Sequence, residues 1–272
     1  MVTKNIFLYI GGFLIKVSFH PSEMPFFINS LQKEILSFFK WFIITTNRRK
    51  KIDFIIHIYD MPHKIYSFKK NKENYKEFIS LFLEQIGKNE VVAPSHLSLN
   101  QFAHLINFII IKLLSVSDGF VLHSSAIKLN KKALIFTGAS GAGKSTTVKL
   151  LQGKFSALED DRVIIKKVNN QFYFFHSAFF IKNKYIKRNI DKYPIQAIFV
   201  LKKARYFKID KLTNKDIVFN LLVDQLVVDA DTLHASIKNL QKFISYFDNF
   251  YYLYLKKNRK KMIDFISNLS YS

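Results

Sequence analysis

Cysteine is absent from all 272 positions, which removes three chemistries at once. The chain can build no disulfide scaffold, no Cys-ligated zinc centre and no thiol nucleophile. Arginine is scarce: Arg48, Arg49, Arg162, Arg188, Arg205 and Arg259 are the whole set. Lysine therefore supplies most of the 42 basic residues that, against 20 acidic ones, give a net charge of +22. Arginine is the better reader of bases and phosphates. A lysine excess in a chain also rich in Phe, Ile, Asn and Tyr reads as compositional background, of the kind an AT-rich coding sequence favours, more than as a nucleic-acid surface.

Long apolar runs are lacking as well. Phe102–Val116 is apolar but carries His104, Asn107 and Lys112 and is too short to span a bilayer. Ile6–Ile15 follows Lys4 as a signal segment would, yet Gly11-Gly12 interrupts it and no small-x-small cleavage site follows. A β-hairpin turning at Gly11-Gly12 fits better. These absences lead to the expectation of a soluble, cytoplasmic protein. With 49% hydrophobic and 23% charged residues, the composition is that of a folded chain with a sizeable core.

The most informative residues present are Gly138, Ala139, Ser140, Gly141, Ala142, Gly143, Lys144 and Ser145, followed by Thr146. They complete the pattern G-x-x-x-x-G-K-[ST], with the apolar run Ala133–Phe136 before it and a helical pattern after it. Each residue type has a task. The glycines let backbone N–H groups converge on phosphate oxygens at a helix N-terminus. Lys144 is expected to reach the β/γ-phosphates and the Ser145 hydroxyl to ligate Mg²⁺. The implied ligands are ATP and Mg²⁺.

Around this loop the chain divides by pattern. Residues 1–94 form an α+β region without recognisable chemistry. Ile6–Ile10 and Phe13–Phe19 read as paired strands, Phe26–Phe42 as a helix or mixed segment, and Asp53–Tyr59 and Ile65–Phe68 as strands. Arg48–Lys51 and Lys69–Lys72 read as basic loops, and Tyr75–Ile86 as a helix. Val91–Ser95, with its proline, is the expected boundary. Residues 95–272 form the second domain. Leu99–Leu114 has helical spacing, and Gly119–Leu129 reads as one strand. The turn Asn130–Lys132 leads to the strand Ala133–Phe136, and the helix Lys144–Leu151 follows the loop. Strands then come in succession at Phe155–Leu158, Val163–Val168, Gln171–Phe175, Ala197–Lys202 and Tyr206–Ile209. Helices return at Lys215–Val227 and Leu233–Tyr246; a strand, Phe250–Leu255, and a helix, Lys260–Leu269, close the chain. Ordinary phosphate-loop folds alternate strand and helix. Consecutive strands point instead to an α/β domain on a mixed sheet.

Asp160 and Asp161 lie at the junction of two apolar runs in Leu158-Glu159-Asp160-Asp161-Arg162-Val163. A kinase needs one carboxylate for Mg²⁺ and another to orient or deprotonate the acceptor hydroxyl. An adjacent pair at the mouth of a strand can supply both; a solvated acidic turn has the same composition. His123 lies in a strand pattern, where a packed histidine is the commoner case. His176 carries less weight, and no histidines have metal-ligand spacing. The chain contains no Asn-Lys-x-Asp guanine-reading segment and no Leu-Ser-Gly-Gly transporter signature.

The stretch Val121–Val163 resembles the kinase domain of the HPr kinase/phosphorylase family. Its wider relatives include kinases of free serine and of small peptides, and ATP-dependent phosphoenolpyruvate carboxykinase shares its fold. Leu122-His123-Ser124-Ser125-Ala126, the loop Gly138–Ser145 and Asp160-Asp161-Arg162-Val163 carry the resemblance, and Tyr193–Leu201 looks like the Pro-led strand of the relatives. The second signature segment of true HPr kinase/phosphorylases is missing, and the basic stretch Lys182–Lys192 occupies its region. A diverged relative is the implied reading. The resemblance implies Asp160 as acid or base at the attacking hydroxyl, Asp161 and Ser145 as Mg²⁺ ligands, and His123 beside the transferred phosphate. It implies a serine-type hydroxyl acceptor on a protein, peptide or small molecule, and assembly into homo-oligomers. Two other readings stay open: an ATP-dependent switch or ATPase without an acceptor, and a basic nucleic-acid-binding protein on a kinase-like scaffold. Lys182–Lys192 would favour an acidic acceptor.

Overall fold

The fifteen residues Asn5–Phe19 show how closely local pattern sets local structure. Strands β1 (Asn5–Ile10) and β2 (Phe13–Phe19) pair antiparallel from Asn5 opposite Ser18 to Ile10 opposite Phe13. Gly11 and Gly12, with φ of 60° and 78°, make the two-residue turn that such a hairpin needs. The computed structural model describes residues 5–20, 25–45, 51–59, 84–179 and 186–269. The chain separates into two compact units, Met1–Ile109 and Ile110–Ser272.

In the first unit, β1 and β2 are joined by β3 (Phe54–Tyr59), β4 (Glu84–Gly87) and β5 (Glu90–Pro94) in the order β1-β2-β3-β5-β4. The β2–β3 and β3–β5 pairs are parallel; the outer pairs are antiparallel. Helix α1 (Pro25–Phe38) buries Ile28, Leu31 and Ile35. One expectation is corrected here. Glu84–Ile86, read as the end of a helix, is strand, because Glu84 and Gln85 pair with Val92 and Val91. Val91–Pro94, within the expected boundary segment Val91–Ser95, is the rest of that pairing and also lies against β3. The expected strand Ile65–Phe68, the loop Lys69–Lys72, most of the loop Arg48–Lys51 and most of the helix Tyr75–Ile86 fall outside the described residues.

Helix α2 (Leu99–Ser115) starts at a capping box: the Ser98 N–H and hydroxyl donate to the Gln101 side chain, and the Gln101 N–H donates back to Ser98 Oγ. Its C-terminal carbonyls are satisfied from a distance. Asn239 Nδ2 donates to the carbonyls of Leu114, Ser115 and Gly119 at 3.3, 3.1 and 3.0 Å.

The second unit is mixed α/β. Its strands are β6 (Gly119–His123), β7 (Ser125–Leu129), β8 (Lys132–Thr137), β9 (Ser156–Glu159), β10 (Arg162–Val168), β11 (Gln171–Phe175), β12 (Lys192–Lys203), β13 (Lys208–Lys211) and β14 (Phe250–Leu255). They make one mixed sheet in the order β6-β10-β11-β12-β8-β7-β9, with β14 also on β12 and β13 on β14. The expected mixed sheet is therefore present. The long strand β12 is its centre: its start pairs antiparallel with β11, and its remainder runs parallel to both β8 and β14. Helices α3 (Lys144–Leu151) and α6 (Arg259–Ser267) bury Val148, Leu151, Met262 and Ile266 against Phe136, Phe199 and Leu253 on one face. Helices α4 (Lys215–Val223) and α5 (Leu233–Tyr246) bury Val218, Leu222, Leu240 and Phe243 against Ile135, Ile198 and Phe250 on the other. Such double coverage explains the continuous apolar runs in β8 and β12. Among the described residues no helix is long and apolar enough to cross a membrane.

Four elements of the second unit differ from expectation. The strand expected at Ala197–Lys202 starts five residues earlier, at Lys192, where it pairs with β11, and the one expected at Tyr206–Ile209 is Lys208–Lys211, set by its pairing with β14. Gly119–Leu129 is two strands, broken at Ser124, because β6 pairs with β10 whereas β7 pairs with β8 and β9. Helix α4 stops at Val223 rather than Val227: the chain beyond it leaves the helix to bond along β6, where Val227 N–H donates to the Val121 carbonyl at 2.9 Å.

His176, which follows β11, is 2% exposed and packs edge-on against the rings of Phe174 and Tyr193. Burial, and after it the Arg188 guanidinium, push its pKa down to about 3. The folded value lies below the ordinary imidazole value of 6.5. Below that pH the unfolded chain takes up a proton that the folded chain refuses, so stability is present above it and is lost on acidification. The loss attributable to this one group is about 1.4 kcal/mol per pH unit across the window down to the folded value. Urea unfolding between pH 4.5 and 7 is expected to show His176→Leu less pH-dependent than the wild type by this slope.

Candidate functional site

The loop between β8 and α3 is built on left-handed backbone. Gly143 immediately precedes the helix with φ 105° and ψ 18°, a conformation that L side chains rarely adopt. Gly138 has φ 137°, and a Cβ there would stand 3.3 Å from Ala142 Cβ and 3.4 Å from the Leu201 carbonyl oxygen. The loop can therefore lie close over the end of β12 only with glycine at its start. Ala139, Ser140, Gly141, Ser145 and Thr146 are exposed, whereas Lys144 is buried. Lys144 Nζ donates to the carbonyls of Gly138 and Ala139 at 2.7 and 3.3 Å. Burial pushes the Lys144 pKa down, and Asp161 pulls it back up.

Hydrogen bonds tie the neighbouring strands to this loop. Ser125 Oγ donates to the Lys144 carbonyl at 3.0 Å, and Ser145 Oγ donates to the Asp160 carbonyl at 3.0 Å. Ser124 N–H donates to the Asp161 carbonyl at 2.9 Å. The break at Ser124 leaves His123 at the end of β6, opposite Arg162 at the start of β10. His123 Nε2 lies 3.8 Å from Asp161 Oδ1, and Arg162 Nε lies 3.4 Å from Asp161 Oδ2. The strand geometry thus gathers Lys144, Ser145, Asp160, Asp161 and His123 at one place. Burial lowers the His123 pKa, Lys144 lowers it further, and Asp161 opposes both.

The two aspartates are not equivalent. Asp161 is half-exposed and faces His123 and Arg162; Asp160 is 6% exposed. Beneath them lies a feature not singled out from sequence. Glu159, 1% exposed, forms an ion pair at 3.5 Å with Arg188, itself 6% exposed. Glu159 also accepts hydrogen bonds from Ser177 Oγ at 2.8 Å and from the Asp160 N–H at 3.3 Å, and Arg188 Nη2 donates to the Phe179 carbonyl at 2.7 Å. Burial pushes the Glu159 carboxyl up; Arg188 and the Ser177 hydrogen bond counter it. The Phe179 ring in turn lies 4.6 Å beneath the Arg162 guanidinium. Arg188 belongs to the basic stretch Lys182–Lys192, of which 182–185 fall outside the described residues. Its charge is spent on Glu159 and is not open to an acceptor. The only sequence signals for this pair were a third acidic residue before Asp160-Asp161 and an arginine in a lysine-rich chain.

Asp229 lies in the segment that runs along β6; burial and Asp231 push its carboxyl up while the charge of Arg162 opposes them. Among the described residues no group of three His, Asp or Glu side chains could hold a metal ion by itself. Mg²⁺ in nucleotide sites needs only one or two protein ligands, the rest of its shell being phosphate oxygens and water. The Ser145 hydroxyl and the Asp161 carboxylate, both hard oxygen donors, fit that requirement.

Residues 89–222, just under half of the chain, match the family model described as SynChlorMet cassette protein ScmC. No curated protein matches the chain. Among solved structures it is similar to that of the Hpr(Ser) kinase/phosphatase from Coxiella burnetii, at 15% identity, covering 34% of this chain and 77% of that one with a TM-score of 0.24. A score that low does not establish a shared fold.

Removing Arg188 alone leaves a buried, unpaired carboxylate. Arg188→Met is expected to destabilise the protein by about 3–5 kcal/mol, with Arg188→Met/Glu159→Leu recovering much of the loss. Urea unfolding of the two variants checks this.

Proposed function

We propose that this chain is an ATP-dependent phosphotransferase that moves the γ-phosphate to a hydroxyl group, of the serine type, on a protein, a peptide or a small molecule. The observation that carries the reading is the convergence on one phosphate loop of a buried lysine, a hydroxyl next to an aspartate pair, and a histidine 3.8 Å from the second aspartate. The loop N–H groups and Lys144 bind the β- and γ-phosphates and offset their charge. Ser145 and Asp161 would hold Mg²⁺, which would supply neutralisation of phosphate charge. Asp160 takes the proton of the acceptor hydroxyl as the acceptor oxygen bonds to the γ-phosphorus and the bond from that phosphorus to the β,γ-bridging oxygen breaks, the electron pair leaving with ADP. His123, beside Asp161, orients the transferred group. The catalytic domain on this reading is the phosphate-loop part of the chain, with the N-terminal region as a separate domain. Homo-oligomerisation and a cytoplasmic location belong to the same proposal.

Three outcomes are expected. Lys144→Ala lowers turnover by about 10²–10³-fold. Asp160→Asn keeps nucleotide affinity and loses transfer; transfer at the native rate would remove Asp160 from its role. The test is transfer of labelled phosphate from ATP to an added hydroxyl-bearing acceptor, with label appearing only as free phosphate marking an ATPase instead. In the pH profile of transfer, the acid limb contributed by His123 lies below the ordinary imidazole value of about 6.5, because burial and Lys144 disfavour its protonation. His123→Asn is expected to abolish that limb.

A further inference from the structure

Strands β8, β12 and β14 are parallel, so their C-terminal ends share one edge of the sheet. The phosphate loop leaves that edge at Thr137, which pairs with Val200. One residue further along β12, Leu201 lies directly under Gly138. The next residue, Lys202, pairs with Tyr254 of β14, and Tyr254 pairs with Lys208 of β13. At this point three aromatic rings form a row. The Tyr254 ring is stacked with Tyr206 at a centroid distance of 5.9 Å and an interplanar angle of 28°, and lies 6.2 Å from Tyr252. Lys202 Nζ stands 5.0 Å from the centroid of Tyr252. Tyr206 is 56% exposed, so its ring is open to a ligand.

The row lies on the side of the loop where a nucleoside belongs. Strands β7 and β9 flank β8 on one side, and Asp160-Asp161 follows β9. A triphosphate whose last phosphate meets those aspartates carries its nucleoside away from them, across β12 and β14. Two strand spacings put β14 about 10 Å from β8, the reach of a ribose between the phosphates and the base. An exposed aromatic face flanked by cations is the chemistry that holds a nucleobase.

We propose that Tyr206 and Tyr254 form the platform on which the base of the bound nucleoside triphosphate stacks. This rests on the phosphate-loop reading above. The experiment compares the affinities of ATP and of inorganic triphosphate, both with Mg²⁺, for the full chain and for Tyr206→Ala, Tyr254→Ala and Tyr206→Phe. The alanine variants are expected to lose about 5- to 150-fold in ATP affinity with inorganic triphosphate unaffected, and Tyr206→Phe to keep ATP affinity. Equal losses for both ligands, unchanged ATP affinity in both alanine variants, or a wild type that binds inorganic triphosphate as tightly as ATP would overturn the platform while leaving the phosphate loop in place. A wild type that binds neither ligand would overturn the phosphate-loop reading and the platform with it.

Discussion

The parallel pairing of β12 with β8 on one side and β14 on the other is the constraint from which the rest of the second unit follows. It brings three strand ends to one edge, and every candidate site residue is measured from that edge. Both faces of these strands are covered by helices, so Ile135, Phe136, Ile198 and Phe199 are all buried. A slip of one residue would exchange the residues facing α3 and α6 with those facing α4 and α5. It would also remove Gly138 from Leu201, whose backbone the loop approaches closely. The register of one buried strand thus sets the height of the phosphate loop.

The polar groups beneath the aspartates are the second determinant. A buried ion pair such as Glu159–Arg188 is seldom a net source of stability, because desolvation opposes the attraction. What it supplies here is position. Glu159 accepts from the backbone of Asp160 and from Ser177, while Arg188 holds the Phe179 carbonyl. These contacts join β9 to the chain segments on either side of residues 180–185. Asp160 and Asp161 therefore project from a backbone held from below by hydrogen bonds and from the side by Ser124 and Ser145. The net charge of +22 has little to do with this. The local balance is near neutral, with Lys144, Arg162 and Arg188 set against Glu159, Asp160 and Asp161, and the lysine excess lies elsewhere on the chain.

Much of the fold was legible wherever the determinant is local. The Gly11-Gly12 hairpin, the helix Lys144–Leu151, the strands Gln171–Phe175 and Phe250–Leu255 and the helix Leu233–Tyr246 coincide with their sequence readings, because turn chemistry and apolar periodicity suffice for them. The succession of strands after the loop likewise announced a mixed sheet. Glu84–Ile86 was misread because its pairing partner, not its own pattern, makes it strand. The break at Ser124 was invisible for the same reason: an unbroken β pattern does not say that its halves pair with different neighbours.

In the candidate site, Lys144, Ser145, Asp160 and Asp161 were readable because a phosphate loop and an acidic strand mouth are short motifs whose chemistry depends on spacing along the chain. Their juxtaposition with His123 was implied by a resemblance, and backbone pairing accounts for it, since His123 faces Arg162 only through the β6–β10 register. Glu159 with Arg188, Arg162 with Phe179, and Tyr206 with Tyr254 join residues far apart along the chain or in different elements, and no local pattern encodes them. Folding decided them: burial requires each charge to find a partner and each strand a neighbour, and those partners exist only once the sheet has closed.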